Sequence, residues 1–141
     1  MEEKLLASLN EYVVLNAEHP VGYTRDVLSC ISGVMHREKS AIVFHLEAYQ
    51  NYINLEALNE ILRLKDDRII SADLFIGELT DLDNLKLVTM ILEANNIEYR
   101  VSRVFKDMSN QTSVIYDYVN DTYSMFDYGH DVERIVRYKG Q

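Results

Sequence analysis

The stretch from Arg68 to Phe105 constrains the fold more than any other, because it reads as strand, helix and strand in succession. Ile70, Ala72, Leu74 and Ile76 alternate with Ser71, Asp73 and Phe75, the two-residue period of a strand with one buried face. Thr80 followed three residues later by Asp83 reads as a capping box at a helix start, and Asp81 and Asp83 lie where the helix dipole favours negative charge. The helix is expected to stop at Asn95–Asn96, since asparagine tolerates the left-handed C-terminal position. Ile97, Tyr99 and Val101 then resume the strand period. A strand–helix–strand order implies parallel strands joined by a right-handed crossover.

That helix is apolar on more than one side. Leu82, Leu85, Val88, Ile91 and Leu92 form one stripe, and Leu87, Met90 and Ala94 form a second. A second helix of the same chain is the plainer cover for the extra stripe. The sharper reading makes Leu87, Met90 and Ala94 a contact for a partner or for a second copy in a homodimer.

Around this unit, helical spacing predicts two N-terminal helices. One places Leu5, Leu6, Leu9, Tyr12 and Val13 on a single face, and Pro20 with Gly22 closes it. The other starts at Thr24 and turns Val27, Leu28, Ile31, Val34 and Met35 inward, with Gly33 costing about 1 kcal/mol. His36 to Ser40 reads as a loop, Ala41–Leu46 as either a strand or a first helical turn, and Glu47 to Leu64 as a helix. Residues 113–128 predict a hairpin turning at Asn120–Asp121, which would set Tyr118 opposite Tyr123, Tyr116 opposite Met125 and Ile115 opposite Phe126. A short helix from Asp131 to Tyr138 would end the chain. The expected fold is therefore α/β or α+β: two N-terminal helices, a mixed sheet in the order β-α-β-α-β-β-β with helices packed on it, and a short C-terminal helix. At 141 residues, one globular domain spanning 1–141 is expected.

Chemistry-bearing motifs are scarce. The five glycines form no phosphate-binding loop. Asp127, His130 and Asp131 could offer hard ligands to a divalent cation, but a turn and a helix cap explain them more simply, so no metal or cofactor is expected. Cys30 is the one cysteine, which excludes an internal disulfide, and its apolar surroundings favour burial over nucleophilic chemistry. The tyrosines of the hairpin are interleaved with Asp117, Asp121 and Asp127, an arrangement that opposes nucleic-acid stacking. No catalytic signature emerges.

Charge is more informative. The net charge is −9, and residues 41–96 alone carry ten acidic against four basic side chains. Such a surface repels nucleic-acid phosphate and suits a basic protein partner. No apolar run reaches membrane-spanning length, and the acidic start does not resemble a secretory signal, so the cytoplasm is the expected compartment. These readings lead to a non-catalytic, inhibitor-, immunity- or antitoxin-like protein binding through an acidic surface at Asp66, Asp67, Glu78, Asp81 and Asp83. The alternative is a small-ligand sensor or enzyme with a crevice at the C-terminal ends of the parallel strands, near Gly77–Asp81 or Phe105.

Overall fold

The computed structural model of the protein describes residues 3–25, 27–104, 112–127 and 136–138. It is an α+β fold in which two sheets face one another and two helices cover the outer side of one of them. The central sheet has the order β2 (Glu11–Leu15), β5 (Ala41–Leu46), β4 (Ile31–Arg37), β8 (Ile69–Ile76) and β9 (Glu98–Arg103). The facing sheet has the order β1 (Lys4–Leu6), β3 (Val21–Thr24), β10 (Thr112–Asp117), β11 (Thr122–Asp127) and β12 (Val136–Tyr138). A short hairpin, β6 (Ala48–Tyr49) and β7 (Tyr52–Ile53), precedes α1 (Glu56–Arg63), and α2 (Leu82–Ala94) joins β8 to β9.

The strand–helix–strand unit is present, with β8 and β9 parallel from Ser71↔Glu98 to Ile76↔Arg103. Asn96 ends α2 with φ of 57°, the left-handed position its short amide side chain tolerates. The cap differs by one residue from the capping-box reading. Asp81 is the N-cap and its carboxylate accepts from Asp83 N, whereas Thr80 Oγ1 accepts from Gly77 N and donates to Cys30 O. An aspartate carboxylate is the stronger acceptor for a helix-start amide, so the hydroxyl is released to close the loop behind it.

The two N-terminal helices are not formed. Those residues make β1 to β4, and Gly33 lies mid-strand in β4, where an added Cβ would strike the backbone of Asp73 and come within 2.8 Å of Phe44 Cζ. His36 and Arg37 belong to β4 and not to a loop, and Ala41–Leu46 is a strand whose every residue is buried. Of the helix expected from Glu47 to Leu64, only Glu56–Arg63 is helical. At the C-terminus, Val136–Tyr138 pairs with β11 as a strand, while 131–135 lie outside the described residues.

The β10–β11 hairpin forms in a register two residues away from the expected one, with Tyr116↔Tyr123, Val114↔Met125 and Ser113↔Phe126 paired. Its loop spans the four residues between Asp117 and Thr122, and Asp121 takes the left-handed conformation at φ 50°. A four-residue connection needs only one such residue, which aspartate supplies without glycine.

Two apolar layers result. Ile31, Met35, Ile42, Phe44, Leu46, Ala72, Leu74 and Ile76 of the central sheet meet Leu58 and Ile61 of α1 and Val88 and Leu92 of α2. On the other side Val34, Val43 and Phe75 meet Val114, Tyr116 and Tyr123 of the facing sheet. Each such side chain taken fully out of water contributes about 1.5–3 kcal/mol. The middle strands are thus covered on both faces, and polar residues on their second face are enclosed between sheets.

Candidate functional site

Asp73 is the most consequential of these enclosed polar residues. It sits mid-strand in β8, between Ala72 and Leu74, on the face turned toward the facing sheet, and is 6% exposed. Its Oδ2 receives the Tyr123 hydroxyl and lies 2.7 Å from His36 Nε2, while Oδ1 accepts from Arg100 Nε at 2.9 Å. His36 Nε2 is also 3.0 Å from Tyr123 Oη, and its Nδ1 faces Tyr116 Oη at 3.4 Å. The Tyr116 hydroxyl in turn donates to Asp121 Oδ1 at 2.8 Å. Burial alone would raise the Asp73 carboxyl, but hydrogen bonds from His36 and Tyr123 and the charges of His36 and Arg100 outweigh it and hold it below the ordinary value. Burial, with the neighbouring Asp121 and Asp73 carboxylates, drives both tyrosine hydroxyls far upward, so they stay protonated and donate.

A crevice of about 340 Å³ opens over this cluster, lined among others by His36, Ser71, Arg100, Tyr116, Tyr118 and Asp121. Both imidazole nitrogens already face partners inside the protein. The arrangement therefore works first as a polar cross-link between β4, β8 and β9 of one sheet and β10 and β11 of the other. The sequence offers one signal for it, an acid at the centre of a strand whose only other polar residue is Ser71.

The five acidic residues expected to form one surface are divided between two ends of β8. Asp66 and Asp67 precede the strand; Glu78, Asp81 and Asp83 follow it, about 23 Å away at the usual rise per strand residue. At the near end Asp66 Oδ1 accepts from Arg37 Nη1 at 3.0 Å, and Asp67 Oδ2 accepts from Lys39 N at 2.9 Å and Ser40 Oγ at 2.7 Å. Desolvation opposes ionisation of Asp67, but Ser40, the Lys39 amide and Arg37 together depress it below the ordinary range. These two carboxylates hold the β4–β5 turn and neutralise Arg37, whose side chain is only 2% exposed.

At the far end Asp81 is also committed. One oxygen caps α2 and the other accepts from Asn51 N at 3.0 Å, backbone bonds that hold it below its ordinary value. Glu78 and Asp83 are exposed, and among the described residues neither carboxylate has a recorded partner. Around them lie exposed apolar side chains: Leu79 at 47%, Leu82 at 59%, and the ring pair Tyr49 and Tyr52 at 53% and 47%. Asn84 Nδ2 donates to Tyr49 O and Tyr52 O, so the β6–β7 hairpin rests against the first turn of α2. Leu87 is one turn beyond Asn84 on the same side of that helix, and Leu87 and Met90 are 41% and 54% exposed. The second stripe of α2, with Ala94, is therefore open and not covered by another helix.

Cys30 is buried, and six strand rises to His36 put the two about 20 Å apart, which removes a cysteine–histidine pair between them. The space over Gly77 is filled by the Val27–Leu28 backbone, with Leu28 Cα 2.6 Å from an added Cβ. That closes the space directly over Gly77, at the start of the crevice expected near Gly77–Asp81, and Phe105 lies outside the described residues. The side chains of Asp127, His130 and Asp131 also lie outside them, and among the described residues no three histidine, cysteine, aspartate or glutamate side chains gather to hold a metal. No described helix is long and apolar enough to cross a membrane. Comparison with protein-family models and with curated proteins finds no match to this chain.

Proposed function

We propose that the chain is a non-catalytic cytoplasmic protein that acts by binding a basic protein partner, in the manner of an inhibitor, immunity protein or antitoxin. The contact is assigned to the end of the molecule where Tyr49, Tyr52, Leu79 and Leu82 surround Glu78 and Asp83. One observation carries the reading: four large apolar side chains stand about half exposed beside two carboxylates with no recorded partner. Apolar area supplies affinity, and unpaired carboxylates at its edge supply attraction to cations and repel phosphate. Asp66 and Asp67 drop out of the contact because they lie at the other end of β8, and Asp81 because both of its oxygens accept backbone amides.

The test compares wild type with Leu82→Glu and with Glu78→Lys/Asp83→Lys in affinity capture from native lysate, followed by mass spectrometry. A basic protein retained near stoichiometry by wild type, released by raised salt and lost from both variants supports the reading. Equal retention by all three refutes it. The open stripe Leu87, Met90 and Ala94 favours a second reading as a homodimer seam. In that case Met90→Glu halves the mass seen by sedimentation while the fold stays intact.

A further inference from the structure

We infer that Tyr49 and Tyr52 form a receptor for an arginine side chain of the basic partner, an assignment that rests on the partner-binding reading above. The two residues are cross-strand partners in the β6–β7 hairpin, so their side chains leave from one face. Their ring centroids are 5.9 Å apart with planes inclined by 20°. An isolated two-stranded hairpin is marginal in water. This one is fastened at three points: Asn84 Nδ2 donates to Tyr49 O at 2.6 Å and to Tyr52 O at 3.0 Å, and Asn51 N donates to Asp81 Oδ2 at 3.0 Å. Asn51 supplies the left-handed turn residue at φ 61°. The fold therefore holds two aromatic faces out in water by a polar framework and does not bury them.

The surrounding charge selects the ligand. An aromatic face attracts cations, and a planar guanidinium can also stack on it. The Tyr49 hydroxyl donates to Glu47 Oε2 at 2.7 Å, and Glu47 Oε1 accepts from Asn10 Nδ2 at 3.1 Å. The carboxylate is thus fixed at the ring's edge, and its bond raises the Tyr49 hydroxyl above its ordinary value. Each Glu47 oxygen accepts one such bond and keeps a second lone pair, to which a guanidinium on the rings can direct N–H groups, whereas a lysine ammonium meets the site as a point charge. The fold uses the same contact internally, with the Arg25 guanidinium carbon 5.6 Å from the Tyr23 ring centroid.

A cross-strand tyrosine pair also supports a hairpin, so the test separates the two roles. The full-length protein is titrated by NMR with a short peptide carrying one arginine, and with matched peptides carrying lysine or neutral citrulline. Expected are saturable shifts of the Tyr49 and Tyr52 ring signals in the order arginine, lysine, citrulline. Tyr52→Leu, which keeps an apolar cross-strand pair, is expected to weaken the arginine peptide roughly three- to thirtyfold while the Asn51 and Asn84 signals stay in place. Glu47→Gln should narrow the preference for arginine over citrulline. Equal response to arginine and citrulline, or unchanged affinity in Tyr52→Leu, overturns the receptor. If Glu78→Lys/Asp83→Lys still abolishes partner capture in that event, the proposed function survives without it; if capture is unchanged as well, both fall.

Discussion

Replacing Asp73 by asparagine keeps the side-chain shape and removes the charge on which His36, Tyr123 and Arg100 converge. Either amide orientation leaves an NH₂ facing a donor. The less costly choice turns it toward Arg100, whose side chain is 43% exposed and can move into water. The carbonyl oxygen then keeps the bonds from His36 and Tyr123, but as neutral-acceptor bonds. Hydrogen bonds to a charged group contribute about 1.5–3 kcal/mol and neutral ones about 1, so two downgraded bonds cost roughly 1–4 kcal/mol. Loss of the half-exposed Arg100 pair adds no more than about 1 kcal/mol. The sum, about 1–5 kcal/mol, lowers Tm by roughly 3–20 °C for a chain of this size. Equilibrium urea unfolding of wild type, Asp73→Asn, Tyr123→Phe and Arg100→Ala measures it, with Arg100→Ala expected to be the mildest. The Asp73 carboxyl is depressed in the folded state, so its contribution is present above the unfolded value near 4 and is lost as pH falls through the lower folded value. The gap between wild type and Asp73→Asn should therefore narrow below about pH 4. A loss under 0.5 kcal/mol, or a gap that widens in acid, would refute the cross-link.

Gly33→Ala forces a methyl group against Asp73 backbone and the Phe44 ring, and is expected to cost about 1–3 kcal/mol in urea unfolding. His45 is 4% exposed, has no partner for either ring nitrogen among the described residues, and burial lowers its pKa from 6.5 to about 4. Its neutral form is the one the fold accepts, so stability is complete above pH 6.5 and declines by up to roughly 3 kcal/mol toward pH 4, a slope that His45→Leu should flatten. Asp81→Ala removes a helix cap and the Asn51 clamp together, and should cost about 1–2 kcal/mol by the same unfolding assay.

The unit from β8 to β9 was readable because it has one helix side and clear stops, and even its left-handed Asn96 could be anticipated. Within the first forty residues β3 and β4 are not, because strands covered on both faces lose their alternation. In β4 the run Ile31–Met35 is buried throughout, and its apolar residues fit a helical spacing as well as a strand. His36 reads as a loop residue for the same reason: nothing local marks a polar residue as facing a second sheet. Asp73 was visible only as the polar half of an alternation. The acidic residues are concentrated in the sequence, but adjacency there hides an eight-residue strand that carries Asp66 and Asp67 to one end and Glu78 and Asp83 to the other.

The facing sheet draws β1 and β3 from the first 24 residues and β10 to β12 from residue 112 onward, whereas the central sheet and both helices lie between residues 11 and 103. Joining β3 to β10 closes a loop of about 90 residues, a slow step by the usual dependence of folding rate on sequence separation. During synthesis the central sheet and its helices can assemble while Val34, Val43 and Phe75 still wait for their cover. Until the last strands leave the ribosome, that inner face is an adhesive surface, and shielding it is a task for chaperones.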